Sequence, residues 1–377
     1  MHAKYAKISE RGKGAVGFFT PFRVFRTHKT NKRLIIGALS VGAFYLVAIF
    51  ADFLAPYDYR EQSRREPSAP ASIPRFRDAE GSLHLNPFIY ESRLSDTLTR
   101  RYTEDSSQAF SVDFFVKSHS YRLLGVFQTD RHLFGLRDYS TSGSPRIHLL
   151  GTDTLGRDRF SRLLQAIRFS LVVSPLGALA ACAIGIFLGL ISGYVGRMAD
   201  TILMGAADAM ISLPTLIVIL AARAAFPLEL PPLTAAFLLV MIFALTGWAE
   251  MSRLTRGLVL EMREREFVLA ARASGVTEAR VLFRHILPNI SRQLFAQVAL
   301  ILPLFLLAEV SLSFLGVGLQ EPEPSLGNIL TAAADVSQLQ SQPFLLLTPA
   351  IVIFLFALGI RLLGDGLKND RFDLARR

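Results

Sequence analysis

Residues 269–289 read "LAARASGVTEARVLFRHILPN", a charged, alanine-rich stretch between two of the most apolar runs in the chain. Residues from about Leu260 to Ser274 are good helix formers, and Gly275 is placed to end that helix in a left-handed conformation. Thr277 is positioned to cap a second helix, with Glu278 in its first turn, and Pro288 marks its end. Within that second helix Ala279, Leu282, Phe283, Ile286 and Leu287 fall on one apolar stripe; Glu278, Arg280, Arg284 and His285 lie off it. Ala270, Ala271, Ala273 and Ser274 give the end of the first helix a surface small enough for close contact.

The runs on either side explain why such a pair stands there. Of 377 residues 51% are hydrophobic, and the mean hydropathy is +0.36, which points to a membrane protein rather than a soluble one. A span needs about 20 mostly apolar residues. Six segments meet that length, at about 34–55, 169–192, 202–226, 232–251, 291–315 and 344–363. The expected fold is therefore all-α and polytopic, with six transmembrane helices.

Charge sets the expected orientation. Residues 1–33 hold nine Lys or Arg against the single acid Glu10, which puts the N-terminus in the cytoplasm. Six spans return the tail, with Lys368, Arg371, Arg376 and Arg377, to the same side, and the loop from Arg253 to Arg284, with seven basic residues, also falls there. The net charge of +10 thus reads as topology and not as nucleic-acid binding. A run of about 22 apolar residues after more than 30 others exceeds the ~7–15-residue core of a signal peptide and reads as an uncleaved first span.

Residues 56–150 form a polar, extracytoplasmic insert. Its first part, "APYDYREQSRREPSAPASIPRFRDAEG", reads as extended linker. "SLHLNPFIY", "FSVDFFVKSHSYRLLGVF" and "RHLFGL" suggest strands of a small mixed or β-rich subdomain, although an ordered loop lying over the membrane part fits the same pattern. His84, His119, His132 and His148 show neither zinc-site spacing nor a nucleophile motif, and the chain has no G-x-x-x-x-G-K-[ST] phosphate loop. No metal and no bound cofactor are expected, and any ATP must be hydrolysed elsewhere. The lone Cys182 reads as a small residue packed between helices.

Pro175, Pro214, Pro303 and Pro349 interrupt the spans, a pattern that suits a bundle rocking between states and equally a static one. Ionisable residues within spans are few. Arg223 and Glu250 lie near span ends and should snorkel; Asp208 should cap or pair near the cytoplasmic end. Glu309, with Ser311 and Ser313 beside it, is a candidate for lining a pathway or for a buried helix contact. Asp208, Glu309, Ser311 and Ser313 form the candidate pathway set.

On periodicity alone, the amphipathic pair of 269–289 could lie on lipid, pack under its own bundle, or dock on another protein. Here a resemblance enters. The segment resembles the cytoplasmic coupling loop of ABC-importer permeases: Glu-Ala-Ala, three residues, Gly, nine residues, Ile, one residue, Leu-Pro. Ala270, Ala271, Gly275, Leu287 and Pro288 fall at those spacings, while Leu269 stands in place of the Glu and His285 in place of the Ile. "LLGTDTLGRDRFSRLL" (149–164), "DTILMGAADAMISLPTLIVIL" (200–220), "SLSFLGVGLQEPEPSLGNIL" (311–330) and "LLGDGLKNDRFD" (362–373) are similar to the dipeptide, oligopeptide and nickel branch of that family, in the same order.

The resemblance implies a type I ABC importer permease fold in the bacterial inner membrane: a first span at 34–55, a core over 151–363 with coupling loop 253–289, and a cytoplasmic tail at 364–377. It implies a non-catalytic subunit that pairs with a second homologous permease, docks two ABC ATPase subunits carrying ATP and Mg, and receives peptides from an extracytoplasmic binding protein. Ala270, Ala271, Arg272, Ser274, Gly275, Arg284, His285, Leu287 and Pro288 are the residues implied at the ATPase contact. A self-contained channel or secondary transporter is the alternative; it would account for six spans but gives no reason for the glycine-broken loop.

Overall fold

The computed structural model describes residues 32–78, 81–96, 100–123, 125–136, 145–343 and 347–369. The basic N-terminal segment before Lys32, and Arg371, Arg376 and Arg377 of the tail, lie outside them.

Helix α1 (Lys32–Ile49) leads through a single turn, α2 (Ala51–Leu54), into the polar insert. The core then begins with α3 (Arg159–Val195), whose 37 residues span about 55 Å. Asp158 caps α3, accepting from the Ser161 backbone N–H at 2.7 Å. Two bent pairs follow: α4 (Arg197–Ser212) with α5 (Thr215–Ala224), and α6 (Pro232–Thr246) with α7 (Trp248–Arg263). Helix α8 (Glu266–Ala273) and the start of α9 (Glu278–Arg280) form the central loop. Then come α10 (Leu287–Phe314), the short α11 (Leu326–Leu330) and α12 (Val336–Ser341), and the final α13 (Thr348–Asn369).

Among the described residues four helices are long and apolar enough to cross a membrane: Lys32–Ile49, Arg159–Val195, Glu278–Phe314 and Thr348–Gly366. The count reaches six when each bent pair is taken as one span. The segment expected as one span at 202–226 is two helices at 89°. Its break falls where a residue before proline must leave the helical region: Leu213 is extended (φ −88°, ψ 139°) ahead of Pro214. The α6–α7 bend of 42° falls at Gly247, where the Phe305 ring occupies the space a side chain would need.

Close packing depends on small residues, as in other membrane bundles. Gly185, Gly189 and Gly193 form one stripe on α3, and a Cβ on any of them would collide with α7 at Met251, Thr255 or Val259. Cys182 packs in the same layer with Met251 and Ile301, buried as expected. Arg223 is buried and reaches past the end of α5, donating to the carbonyls of Phe226, Pro227 and Leu228 at 3.3, 3.0 and 3.2 Å. Those carbonyls follow the end of α5 and have no helical partners, and the guanidinium satisfies them.

The insert carries a four-stranded antiparallel sheet in the order β1 (Arg75–Arg77), β2 (Leu83–Asp96), β3 (Arg101–Leu123), β4 (Phe127–Leu136). Residues of β3 up to Ser111 pair with β2, and those from Val112 onward pair with β4. Ile89, Val112 and Leu136 close over Tyr57 and Ile147 in a small core. The stretch expected as extended linker is strapped down: the Ser68 N–H donates to Asp153 O at 2.8 Å and the Ser72 N–H to His148 O at 2.7 Å. His148 is buried between Asp158, at 2.9 Å, and Glu66, at 3.5 Å. Burial opposes its protonation, but the two carboxylates outweigh that and hold its pKa up at about 9.

The candidate functional site

Helix α7 ends at Arg263, and Arg265 is extended (φ −71°, ψ 140°) before α8 starts at Glu266. The single helix expected from Leu260 to Ser274 is thus broken after Arg263. Packing overrides propensity here, because the turn carries Val268, fully buried, against Val281 and Ile286 in the layer that also holds Met251 and Cys182.

Helix α8 ends as its sequence predicts. Gly275 has φ +77°, its N–H donates to Arg272 O at 2.9 Å, and the Val276 N–H reaches back to Ala271 O at 3.2 Å. These are the two bonds of a Schellman cap, and Ala271 and Val276, which the cap brings together, both pack on the core. Thr277 takes the cap position before α9, but its side chain makes no capping bond. Glu278 turns to the end of α3 instead, accepting from the Tyr194 hydroxyl and lying 3.3 Å from Arg272 Nη2. The Arg272 guanidinium sits 5.3 Å from the Tyr194 ring centroid.

Pro288 does not end the second helix. Residues Val281–Ile286 form a π-helical turn that runs straight into α10, with Pro288 in that helix's first turn. A proline lacks the N–H for the usual bond and crowds the carbonyl four residues earlier; widening the preceding turn relieves both problems. The wide turn also moves the buried face. Val281, Ile286 and Ile290 are fully buried, whereas Phe283 of the expected stripe is 58% exposed and Ala279 also faces out. A five-residue step from Val281 to Ile286 replaces the four-residue step that the stripe assumed.

Of the residues implied at the ATPase contact, Ala270, Ser274, Gly275, Arg284 and Pro288 are exposed. Ala271, Arg272, His285 and Leu287 are half-buried; Ala271 and Leu287 pack on the core and Arg272 on Tyr194. Phe267, Leu269 and Phe283 are also exposed, so part of the expected apolar stripe stays open rather than packing under the bundle.

The four candidate pathway residues do not come together. Asp208 is exposed and paired with Arg253. Glu309 is buried and accepts from the Ser313 hydroxyl at 2.9 Å. Ser311, unlike the other three, borders a cavity of about 350 Å³ between the α4–α5 bend, the α6–α7 bend and α10. Its walls are mostly apolar, with Ile211, Leu216, Ile219, Leu304 and Phe305 prominent. Thr215, Thr246 and Glu250 supply its other polar groups, so Glu250 lines the cavity rather than merely reaching for a membrane surface. The sequence signal for it was an acid three residues after the Gly247 break.

This architecture, spans around a glycine-capped helix pair, meets its relatives in sequence. Residues 185–369 match the binding-protein-dependent transport system inner membrane component family. Residues 20–71 match the N-terminal TM domain of oligopeptide transport permease C. The oligopeptide transport system permease protein OppC of Bacillus subtilis is 32% identical over 244 residues, 63% of this chain and 77% of that protein. The chain belongs to this permease family. Among other permease relatives, the dipeptide transport system permease protein DppC of Alkalihalophilus pseudofirmus is 35% identical over 222 residues, 59% of this chain and 70% of it. The Mycobacterium tuberculosis OppC is 35% identical over 230 residues, 61% and 77% of the two chains. The family match spans both bent helix pairs, the capped loop and α13, so the permease core holds both the exposed loop surface and the cavity.

Proposed function

We propose that this chain is the permease subunit of an ATP-driven peptide importer of the bacterial inner membrane, with each bent helix pair acting as one of six spans. Two ATPase subunits carry ATP and Mg, a second permease completes the pathway, and an extracytoplasmic protein delivers the peptide. The basic segments support a cytoplasmic side for both termini and the 253–289 loop, which leaves the sheet-bearing insert on the outer side, where the delivering protein arrives.

The observation that carries this reading is the way the loop is packed and capped. A segment that transmits ATPase closure must not absorb it. Here Val268, Val281 and Ile286 are fully buried in the layer between α3, α7 and α10, and Gly275 closes a fully bonded cap. Arg272 and Glu278 tie both sides of that cap to Tyr194 of α3. Ala270, Ser274, Gly275, Arg284 and Pro288, with Phe267, Leu269 and Phe283, form the face that docks in an ATPase cleft; Ala271, Arg272 and Leu287 hold that face in place. The π-turn joins it to α10, so displacement of the loop reaches the cavity wall at Ile301–Ser311 through one continuous helix.

Affinity purification of the tagged protein in mild detergent, followed by mass spectrometry, tests the assembly. Recovery of two phosphate-loop ATPases and a second permease supports it. Recovery of the folded chain alone, still transporting after reconstitution, would favour a self-contained transporter.

A further inference from the structure

The cavity beside Ser311 has a chemical bias. The Thr246 hydroxyl donates to Ile242 O at 2.8 Å and the Ser311 hydroxyl to Leu307 O at 2.7 Å. Both therefore turn only oxygen lone pairs toward the cavity. Glu250 adds a carboxylate, and Thr215 a hydroxyl that can turn either way.

Charges on the neighbouring helices do not answer Glu250. Arg253, one turn further along α7, is engaged by Asp208 of α4. Arg256 is engaged by Asp200, Nη2 to Oδ2 at 2.6 Å. Glu309 of α10 lies fully buried with Ser313 and is not part of the wall. Glu250 has no hydrogen bond or ion pair among the described residues; it is exposed, and it lines a mostly apolar chamber. A carboxylate is costly at such a place and is kept where it faces a polar occupant.

We propose that this cavity is the chain's cargo-facing chamber and that Glu250, with Thr246 and Ser311, receives a positively charged, donor-rich group of the cargo, an ammonium or guanidinium. The inference rests on the peptide-importer reading and adds a charge preference to it. The binding protein selects which peptides arrive; Glu250 biases how readily each passes. Net-cationic peptides are favoured at the chamber and net-anionic ones disfavoured, because both feel the same fixed charge within low-dielectric walls.

The test uses the complete transporter in proteoliposomes, with saturating binding protein loaded with Ala-Lys-Ala or Ala-Glu-Ala. In the wild type, uptake is measured for each peptide, and then for Glu250→Gln and Glu250→Lys, with assembly of each variant checked by size-exclusion chromatography. The expected result is a fall in the Lys-to-Glu peptide uptake ratio of roughly three- to tenfold for Glu250→Gln, and a further fall for Glu250→Lys. Equal changes for both peptides in both assembled variants overturn the charge role while leaving the importer standing. If the assembled wild type carries neither peptide, the importer reading itself fails, and the charge preference with it.

Discussion

Arg272 and Glu278 face each other across Gly275, guanidinium Nη2 3.3 Å from the carboxylate, and both close on Tyr194 at the end of α3. The Glu278 side chain is 64% exposed, so the pair itself adds no more than about 1 kcal/mol to folding. Its role is to fix the angle between α8 and the following turn. Glu278→Arg should lower peptide uptake several-fold with the melting temperature nearly unchanged. Combining it with Arg272→Glu should recover much of the loss; uptake and a thermal melt in detergent, run on the same preparations, check this.

Gly275 holds φ +77° with open space where a side chain would stand. Gly275→Ala therefore meets no clash and costs only the left-handed strain, about 1–2 kcal/mol. Gly275→Pro cannot reach that φ and also loses the N–H that donates to Arg272 O. The alanine variant should transport at a reduced rate. The proline variant should reach the membrane fraction yet fail to transport. Normal uptake by Gly275→Pro would mean that the cap does not couple anything.

The π-turn separates two residues that periodicity treats alike. Ile286 is fully buried and Phe283 is 58% exposed. Ile286→Ala should cost about 2–5 kcal/mol of stability. Phe283→Ala should cost no more than about 0.5 kcal/mol while sharply reducing recovery of the ATPase subunits. Denaturation of the purified chain, set beside copurification yields, discriminates the two.

His148 gives the insert a pH dependence. Its pKa rises from an unfolded value near 6.5 to about 9 on folding. The stabilisation is complete below about pH 6.5, on the order of 3 kcal/mol, and is lost as pH climbs through about 9. A thermal melt from pH 6 to 10 should fall across that window, and His148→Gln should remove most of the slope.

What was legible in the sequence was local. Gly275 could be read because a left-handed cap depends on its own residue and its immediate neighbours. Cys182 could be read because a lone small apolar residue in an apolar run has little else to do. The inward face of 279–287 could not, because it depends on a π-turn set by the crowding of Pro288 and by the burial of Val281 and Ile286. The break after Arg263 was hidden in the same way, since no residue there opposes a helix and the turn serves the packing of Val268. Within the spans, sequence drew attention to Glu309, the acid deepest in an apolar run. The structure seals that group among helices and turns Glu250 into the cavity, because the bend at Gly247 redirects the first turn of α7.

Coupling requires that the exposed face beside Gly275 meet an ATPase. The most direct measurement places a photo-crosslinking residue at Phe283, and separately at Leu85 in the insert, which is 98% exposed. Irradiation of the intact complex should join the Phe283 variant to an ATPase subunit and leave the Leu85 variant free of it. An assembled complex that crosslinks to the ATPase from Leu85, and never from Phe283, would contradict the assignment of the loop.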